Sequence, residues 1–158
     1  MRSLDARFCS APFHRDEIVS AGYSEKVLRG RRFRRVFPRV WVHVDHPMSE
    51  ADWIQAGRLA LPPDARLTGA TRLRQLGVEV ASDRLQFVVG HDLHLDLDGI
   101  DLHRTDSLPP CDDEGVSPAA AFIELRELVR AEAWREGAAQ AGWVSRYLDP
   151  RSLSLQES

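Results

Sequence analysis

Two short runs of β-forming residues, at positions 33–37 and 40–44, are separated by a single Pro-Arg pair. A proline in so short a linker is typical of a tight turn, so the two runs predict an antiparallel hairpin. In the second run valine alternates with Trp41 and His43, which is the period of two expected of a strand with one apolar face. The first run mixes arginine and aromatic residues on both faces.

The residues before the hairpin predict two short helices. The first covers about 14–21, with acidic residues in its first turn, where the helix dipole favours them, and it ends at Gly22. Ser24 is a suitable N-cap for a second helix over about 25–32, although Gly30 weakens its end. A helix, a short turn, a second helix and a basic hairpin follow one another in the order of a winged helix-turn-helix. We therefore predict such a domain at residues 1–46.

The charge of the chain is unevenly distributed. The whole sequence has a formal net charge of −3, but residues 1–46 contain ten basic and five acidic residues, a net of +5, which leaves −8 for the remainder. Seven of those ten basic residues lie between Lys26 and Arg39 with no carboxylate among them. Such a cluster of one sign creates a local field that attracts a polyanion, and the planar guanidinium of arginine matches phosphate. Double-stranded DNA is the predicted partner.

A helical wheel separates the basic residues of the second helix. Lys26 and Arg29 fall on its free side, where they are candidates for contacts with base edges. Arg31 falls with the apolar residues on the packed side, and an alternative role for it is an ion pair with Asp16 or Glu17. Phosphate contacts are expected from the serine at the helix start and from the hairpin arginines, for which minor-groove contacts are the alternative. The predicted DNA-binding residues are Ser24, Lys26, Arg29, Arg31, Arg32, Arg34, Arg35 and Arg39.

Other interpretations of the basic cluster remain open at the level of sequence. A run of like charges is usually a solvated surface. The main alternative to DNA binding is a protein-interaction module, in which the basic face docks an acidic partner or the acidic remainder of the chain.

The sequence after residue 46 predicts a second, acidic domain of mixed α and β elements over 47–158. Ser49, with Asp52 three residues later, resembles a capping box at the start of a helix, and Ser117-Pro118 places proline directly after an N-cap. The predicted elements are a helix that ends at Pro62-Pro63, a helix over about 69–76 closed by Gly77, strands at 85–89 and 100–104, and a helix from Ser117-Pro118 to about Arg135. The predicted fold class of the whole chain is α+β.

The acidic segment 91–103 contains the only other candidate site. A metal-dependent enzyme using His91, His94 and Asp96 is one hypothesis, since histidine and carboxylate are ligands of zinc and other divalent metals. The segment matches no fixed ligand spacing, however, and its alternating leucines and carboxylates fit a polar hairpin loop. The sequence also lacks a G-x-S-x-G elbow, a phosphate-binding glycine loop and an H-E-x-x-H motif. We therefore predict no enzyme activity, no bound metal and no cofactor.

The cellular location is predicted from what the sequence lacks. It contains no run of 18 apolar residues, and residues 1–13 lack the apolar core of a signal peptide, so no membrane association is expected. Cys9 and Cys111 lie 102 positions apart without C-x-x-C spacing, which favours two reduced thiols. The predicted location is the cytoplasm.

Several motifs in this order resemble one family. They are Arg-Asp-Glu-Ile-Val-Ser-Ala-Gly-Tyr-Ser at 15–24, Gly-Arg-Arg-Phe-Arg-Arg-Val-Phe-Pro-Arg-Val-Trp-Val at 30–42, the proline break and helix at 61–78, and Leu-His-Arg-Thr-Asp-Ser-Leu-Pro at 102–109 followed by the Ser-Pro helix start. Over residues 12–130 the chain resembles the AbiEi-type antitoxins of type IV toxin–antitoxin systems.

The resemblance implies a function as well as a fold. It implies an N-terminal winged helix that represses its own operon at inverted repeats, and a C-terminal domain that counters a nucleotidyltransferase-like toxin encoded beside it. By position, Ser24, Lys26, Arg29, Arg34 and Arg35 would carry the DNA-binding role. Some relatives of this kind are regulators with no toxin partner.

The sequence departs from the family at two points. Arg39 occupies the position in the wing turn where the family usually has glycine. The resemblance is also to a short form, without the very-short-patch-repair-like endonuclease domain into which many relatives continue.

Overall fold

The predicted hairpin lies in the first of two units of the chain. The structure, a computed structural model, describes residues 3–135 and divides into Met1–Pro63 and Asp64–Ser158. The second predicted domain, 47–158, is therefore described as far as Arg135. The elements of the first unit are α1 (Arg7–Ser10), β1 (Phe13–His14), α2 (Arg15–Ser20), a 3-10 helix (Glu25–Arg29), β2 (Phe33–Phe37), β3 (Val40–His43) and α3 (Glu50–Ala60).

The sheet of the first unit is antiparallel, with β3 between β1 and β2. The β2–β3 hairpin is confirmed, and Phe37 pairs with Val40 across its two-residue turn. The neighbouring α1 and β1 were not predicted. Helices α1 and α2 and the 3-10 helix pack on this sheet, and the buried residues of their common core are Phe8, Phe13, Ile18, Leu28 and Phe33.

The second predicted helix is shorter than expected. It is a 3-10 helix that ends at Arg29, and Gly30 follows it in an extended conformation (φ −80°, ψ 179°). Glycine at this point favours the end of the helix because it is a poor helix former. The expected extension to residue 32 is therefore wrong.

Helix α3 belongs to the first unit, which extends through Pro63, whereas the sequence pattern placed this helix in the second domain. The predicted capping box is confirmed at its start. Ser49 Oγ accepts a hydrogen bond from the Asp52 N–H (3.1 Å), and the Asp52 carboxylate accepts one from the Ser49 N–H (2.9 Å). The rings of Phe37 and Trp53 meet edge to face at 6.1 Å, which attaches α3 to the hairpin.

The second unit also combines helices with a small sheet. Its elements are β4 (Arg66–Leu67), α4 (Gly69–Gln75), β5 (Leu85–Val89), β6 (Ile100–Arg104) and α5 (Pro118–Arg135). The predicted start of α5 is confirmed, because Ser117 Oγ accepts from the Ala120 N–H (3.3 Å). Helices α4 and α5 share a core with β5, which includes Leu73, Val88, Val116, Leu125 and Val129.

Strands β5 and β6 are parallel, with Leu85 opposite Ile100, so the predicted hairpin loop between them is wrong. Four consecutive residues of β5, 86–89, are buried. Burial on both faces is typical of parallel strands, and the connection over 90–99 therefore returns along the sheet. The described residues thus form a mixed α+β chain with two three-stranded sheets. None of their helices combines the length and apolar character needed to span a bilayer.

Candidate nucleic-acid interface

All eight residues predicted to bind DNA are exposed in the first unit. The seven cations among them make no side-chain hydrogen bond or ion pair within the part of the chain that the structure describes. In the second unit the pattern is different, since Arg72, Arg84 and Arg104 are each paired with an aspartate at 2.7, 2.6 and 3.0 Å. The basic cluster is therefore a set of arginines and one lysine whose charges the surrounding chain does not neutralise.

The two adjacent arginines of β2 lie on opposite faces of the hairpin. Arg34 is opposite Val42 and Arg35 is opposite Trp41, and consecutive residues of a strand point to opposite sides. A bulge at Val36 follows, since β2 advances two residues there while β3 advances one. The hairpin therefore presents cations on both of its faces.

Arg35 contributes to a surface pocket of about 170 Å³. Arginines from four different segments line it: the start of α2, the 3-10 helix, β2 and the hairpin turn. Its lining residues are Arg15, Glu25, Leu28, Arg29, Arg35, Arg39 and Trp41. We call it the arginine pocket. It brings together three of the predicted residues, and Ser24, Lys26, Arg31, Arg32 and Arg34 are not among its lining.

Sequence reasoning missed Arg15 and Trp41 as members of this site. Arg15 lies eleven positions before Lys26 and therefore outside the basic cluster. Strand β1 pairs with β3, with His14 opposite Val40, and this pairing brings the start of α2 beside the hairpin turn. The only available signal was the alternation in β3, which placed Trp41 on the face opposite the valines.

The environment of the Arg15 side chain is unusual. One terminal nitrogen of its guanidinium lies 3.4 Å from the Glu25 carboxylate. Its Nε is buried and has no hydrogen-bond partner within residues 3–135. Buried donors are almost always paired, so this nitrogen is an exception.

Arg39 has a positive φ of 64°. Within residues 3–135 no other residue except glycine has a positive φ. The preceding proline and this φ fit a type II turn, whose second central position favours glycine. Arg39, where the sequence departs from the family pattern, therefore has a backbone conformation that glycine would adopt without strain.

The start of the 3-10 helix agrees with the expected role of Ser24. Ser24 Oγ accepts a hydrogen bond from the Lys26 N–H at 3.3 Å, so the predicted N-cap is confirmed. Residues three apart eclipse one another in a 3-10 helix, which places Lys26 and Arg29 on one edge. Both are exposed.

The predicted position of Arg31 on a packed helix face is wrong. The 3-10 helix has already ended at Arg29, and Arg31 is exposed in the turn that leads into β2. The alternative ion pair with Asp16 or Glu17 does not form either. Asp16 lies 3.5 Å from His14, and Glu17 accepts a hydrogen bond from the His14 N–H at 2.9 Å, so both carboxylates serve the start of α2.

The segment 91–103 does not bring the hypothetical metal ligands together. His91 pairs with Asp64 at 2.8 Å, whereas His94 contacts Arg104 at 2.8 Å. Over residues 3–135, no three histidine, cysteine or carboxylate side chains are grouped so as to hold a metal ion. The structure therefore offers no support for a metal centre at His91, His94 and Asp96.

Comparison with known proteins gives no family assignment. No protein-family model matches the chain. A search of curated proteins finds no match either. The resemblance to AbiEi-type antitoxins therefore stays a prediction from the sequence motifs.

Proposed function

We propose that the Met1–Pro63 unit binds double-stranded DNA and that the protein is a transcriptional repressor that regulates its own operon. The observation that carries this proposal is the set of seven exposed cations on the 3-10 helix, the hairpin and the turn between them, which are unpaired within residues 3–135. Clustering like charges without counterions is unfavourable, and a polyanion is the partner that removes the repulsion. The unit has eleven basic and seven acidic residues, a net of +4.

The arrangement of elements supports a winged helix-turn-helix as the form of this domain. Helix α2, the turn after it, the 3-10 helix and the β2–β3 hairpin follow one another as that motif requires. In this assignment Lys26 and Arg29 approach base edges, while Arg31, Arg32 and Arg34 contact phosphates or the minor groove. Ser24 caps the 3-10 helix and retains a hydroxyl hydrogen to donate.

The antitoxin role is the second part of the proposal, and it rests on the motif resemblance alone. Under it, the acidic region counters a nucleotidyltransferase-like toxin, and the protein works in the cytoplasm with its operator DNA. Co-expression with the product of a neighbouring nucleotidyltransferase-like gene tests this part. Restored growth supports an antitoxin, whereas unrelieved toxicity, or the lack of such a gene, leaves a plain regulator.

Binding to labelled duplex DNA of random sequence tests the DNA-binding part. The Arg34→Ala/Arg35→Ala double variant should bind more weakly than the wild type. Arg126→Ala is a control for nonspecific loss of charge, because it removes an exposed arginine on α5 in the second unit. Equal affinity of all three proteins would refute the assignment to the hairpin. Binding of an acidic polypeptide in preference to DNA would instead favour a protein-interaction module.

A further inference from the structure

The arginine pocket has a charge that its own lining does not balance. It contains four arginines and one carboxylate, that of Glu25, which gives a local net charge of +3. Leu28 and Trp41 supply its apolar wall. An apolar wall lowers the local dielectric constant, which strengthens both the repulsion among the guanidinium groups and their attraction for an anion.

We propose that the arginine pocket binds a single phosphate group. Guanidinium groups bind phosphate through paired, charge-assisted hydrogen bonds, which Arg15, Arg35 and Arg39 can supply here. Arg29, assigned to base edges, adds its charge to the lining, and four guanidinium groups exceed what a single carboxylate can neutralise. The phosphate belongs either to the DNA backbone or to a free phosphate or phosphomonoester. The DNA form rests on the proposed function, whereas binding of free phosphate does not depend on it.

The size of the pocket agrees with this ligand. A water molecule accounts for roughly 30 Å³ in the liquid. A volume of about 170 Å³ therefore accommodates a group of five heavy atoms such as phosphate. A sugar or base attached to it has to extend out of the pocket.

Two features of the pocket point to a fixed anion site rather than to a chance grouping of surface arginines. The Nε of Arg15 is a buried donor for which the described part of the chain supplies no acceptor. Arg39 is held at a φ of 64° in the hairpin turn, a conformation unfavourable for arginine. Residues in such strained conformations cluster at ligand-binding sites, and here the strained residue is a cation that lines the pocket.

The experiment uses inorganic phosphate as the probe, added to the full chain without DNA. Thermal unfolding is measured with phosphate and with chloride at the same ionic strength. The wild type should show a higher Tm in phosphate, and Arg35→Ala should lose that shift. Arg39→Gly is the second pocket variant, because its backbone is unstrained and it should fold. Arg34→Ala is the matched control, since it removes a charge from the other face of the hairpin and should keep the phosphate shift.

A second arm measures binding of duplex DNA to the same proteins. Arg35→Ala should lose about tenfold in affinity, and added phosphate should compete with DNA on the wild type but not on this variant. One outcome is that the rise in Tm with phosphate is lost only in the pocket variants and that the wild type does not bind DNA. This outcome would keep the pocket as a site for free phosphate and refute the proposed function. DNA binding without a phosphate shift, or an equal shift in all variants, would refute the phosphate site and leave the function standing.

Discussion

The main-chain N–H of Arg15 donates a 2.8 Å hydrogen bond to the main-chain carbonyl of Arg39. This bond attaches the first residue of α2 to the turn of the β2–β3 hairpin. Both side chains line the arginine pocket. The relative position of two cations from distant parts of the sequence is therefore fixed by the backbone and not by contact between the side chains.

Arg39→Gly should separate stability from DNA binding. Glycine adopts a positive φ without strain, so the free energy of unfolding should rise by up to about 1 kcal/mol, reduced by the greater entropy of the unfolded glycine chain. Affinity for duplex DNA should fall, because one cation is lost from the pocket. Urea unfolding and fluorescence anisotropy measure the two quantities.

Arg39→Ala is the control for that experiment. It removes the same charge but keeps the strained φ, so it should weaken DNA binding without the gain in stability. Wild-type DNA affinity in both variants would show that Arg39 contributes no contact with DNA.

Arg29 and the two hairpin arginines should differ in their effect on sequence preference. Contacts with phosphates carry no sequence information, so Arg34→Ala and Arg35→Ala should weaken binding to the operator and to random duplex by a similar factor. Arg29→Ala should weaken operator binding more than random binding, because a lost base contact costs about 1–3 kcal/mol of discrimination. Competition between the two duplexes measures the ratio. An unchanged ratio in Arg29→Ala would remove Arg29 from the base-reading role.

Much of the candidate site is visible in the sequence, because seven of its cations lie close together between Lys26 and Arg39. The exposure of the seven predicted cations follows from their charge. The part that could not be predicted depends on pairing between distant segments. Arg15 joins the pocket only because β1 pairs with β3, and a strand of two residues, Phe13–His14, is too short to show a periodic pattern.

Short elements and pairing between distant segments also explain the errors in the predicted fold. Helix starts with capping residues, at Ser49 and Ser117, are local features and were predicted correctly. The four-residue helix α1 has too few residues for a periodic signal. The parallel pairing of β5 and β6 is set by the path of the connecting residues 90–99, which the composition of the strands does not reveal.

Arg72 should be important for the stability of the second unit. It is 4% exposed, and its guanidinium donates to the Val116 carbonyl at 2.9 Å and to Asp112 at 2.7 Å. The N–H groups of Gly115 and Glu114 hold the pKa of Asp112 below its usual range, which keeps this carboxylate ionised opposite Arg72. Arg72→Ala leaves a cavity and an unpaired buried carbonyl, so it should destabilise the unit by about 3 kcal/mol.

Chemical unfolding of the full chain measures that loss. Arg126→Ala is the control, because removing an arginine exposed on α5 should change stability by no more than about 0.5 kcal/mol. A similar effect of the two substitutions would contradict a structural role for the buried guanidinium.

The stabilising contribution of the ionised Asp52 carboxylate to the first unit should be lost in acid. Partial burial raises the pKa of Asp52, but hydrogen bonds from Ser49 and His46 outweigh this effect and hold it below its ordinary value of 3.8. A lowered pKa stabilises the folded state above the ordinary value, and the contribution is lost as the pH falls through the lowered one. Asp52→Ala should therefore be destabilised by about 1 kcal/mol at pH 7 and by less at pH 2.

Urea unfolding at the two pH values, with Asp45→Ala beside it, measures this difference. The Asp45 side chain is 88% exposed and lies 3.9 Å from His43, so its removal should have little effect at either pH. If the free energy of unfolding of Asp52→Ala differed from that of the wild type by the same amount at pH 7 and pH 2, the capping role of the ionised carboxylate would be contradicted.

The salt dependence of binding to duplex DNA tests the central claim most directly. If about six cations of the 3-10 helix and hairpin meet phosphates, the logarithm of the affinity should fall against the logarithm of salt concentration with a slope of about −5. The slope should become less steep by about one unit for each of Arg32→Ala and Arg34→Ala. A flat salt response of the wild-type protein would contradict DNA binding through this surface.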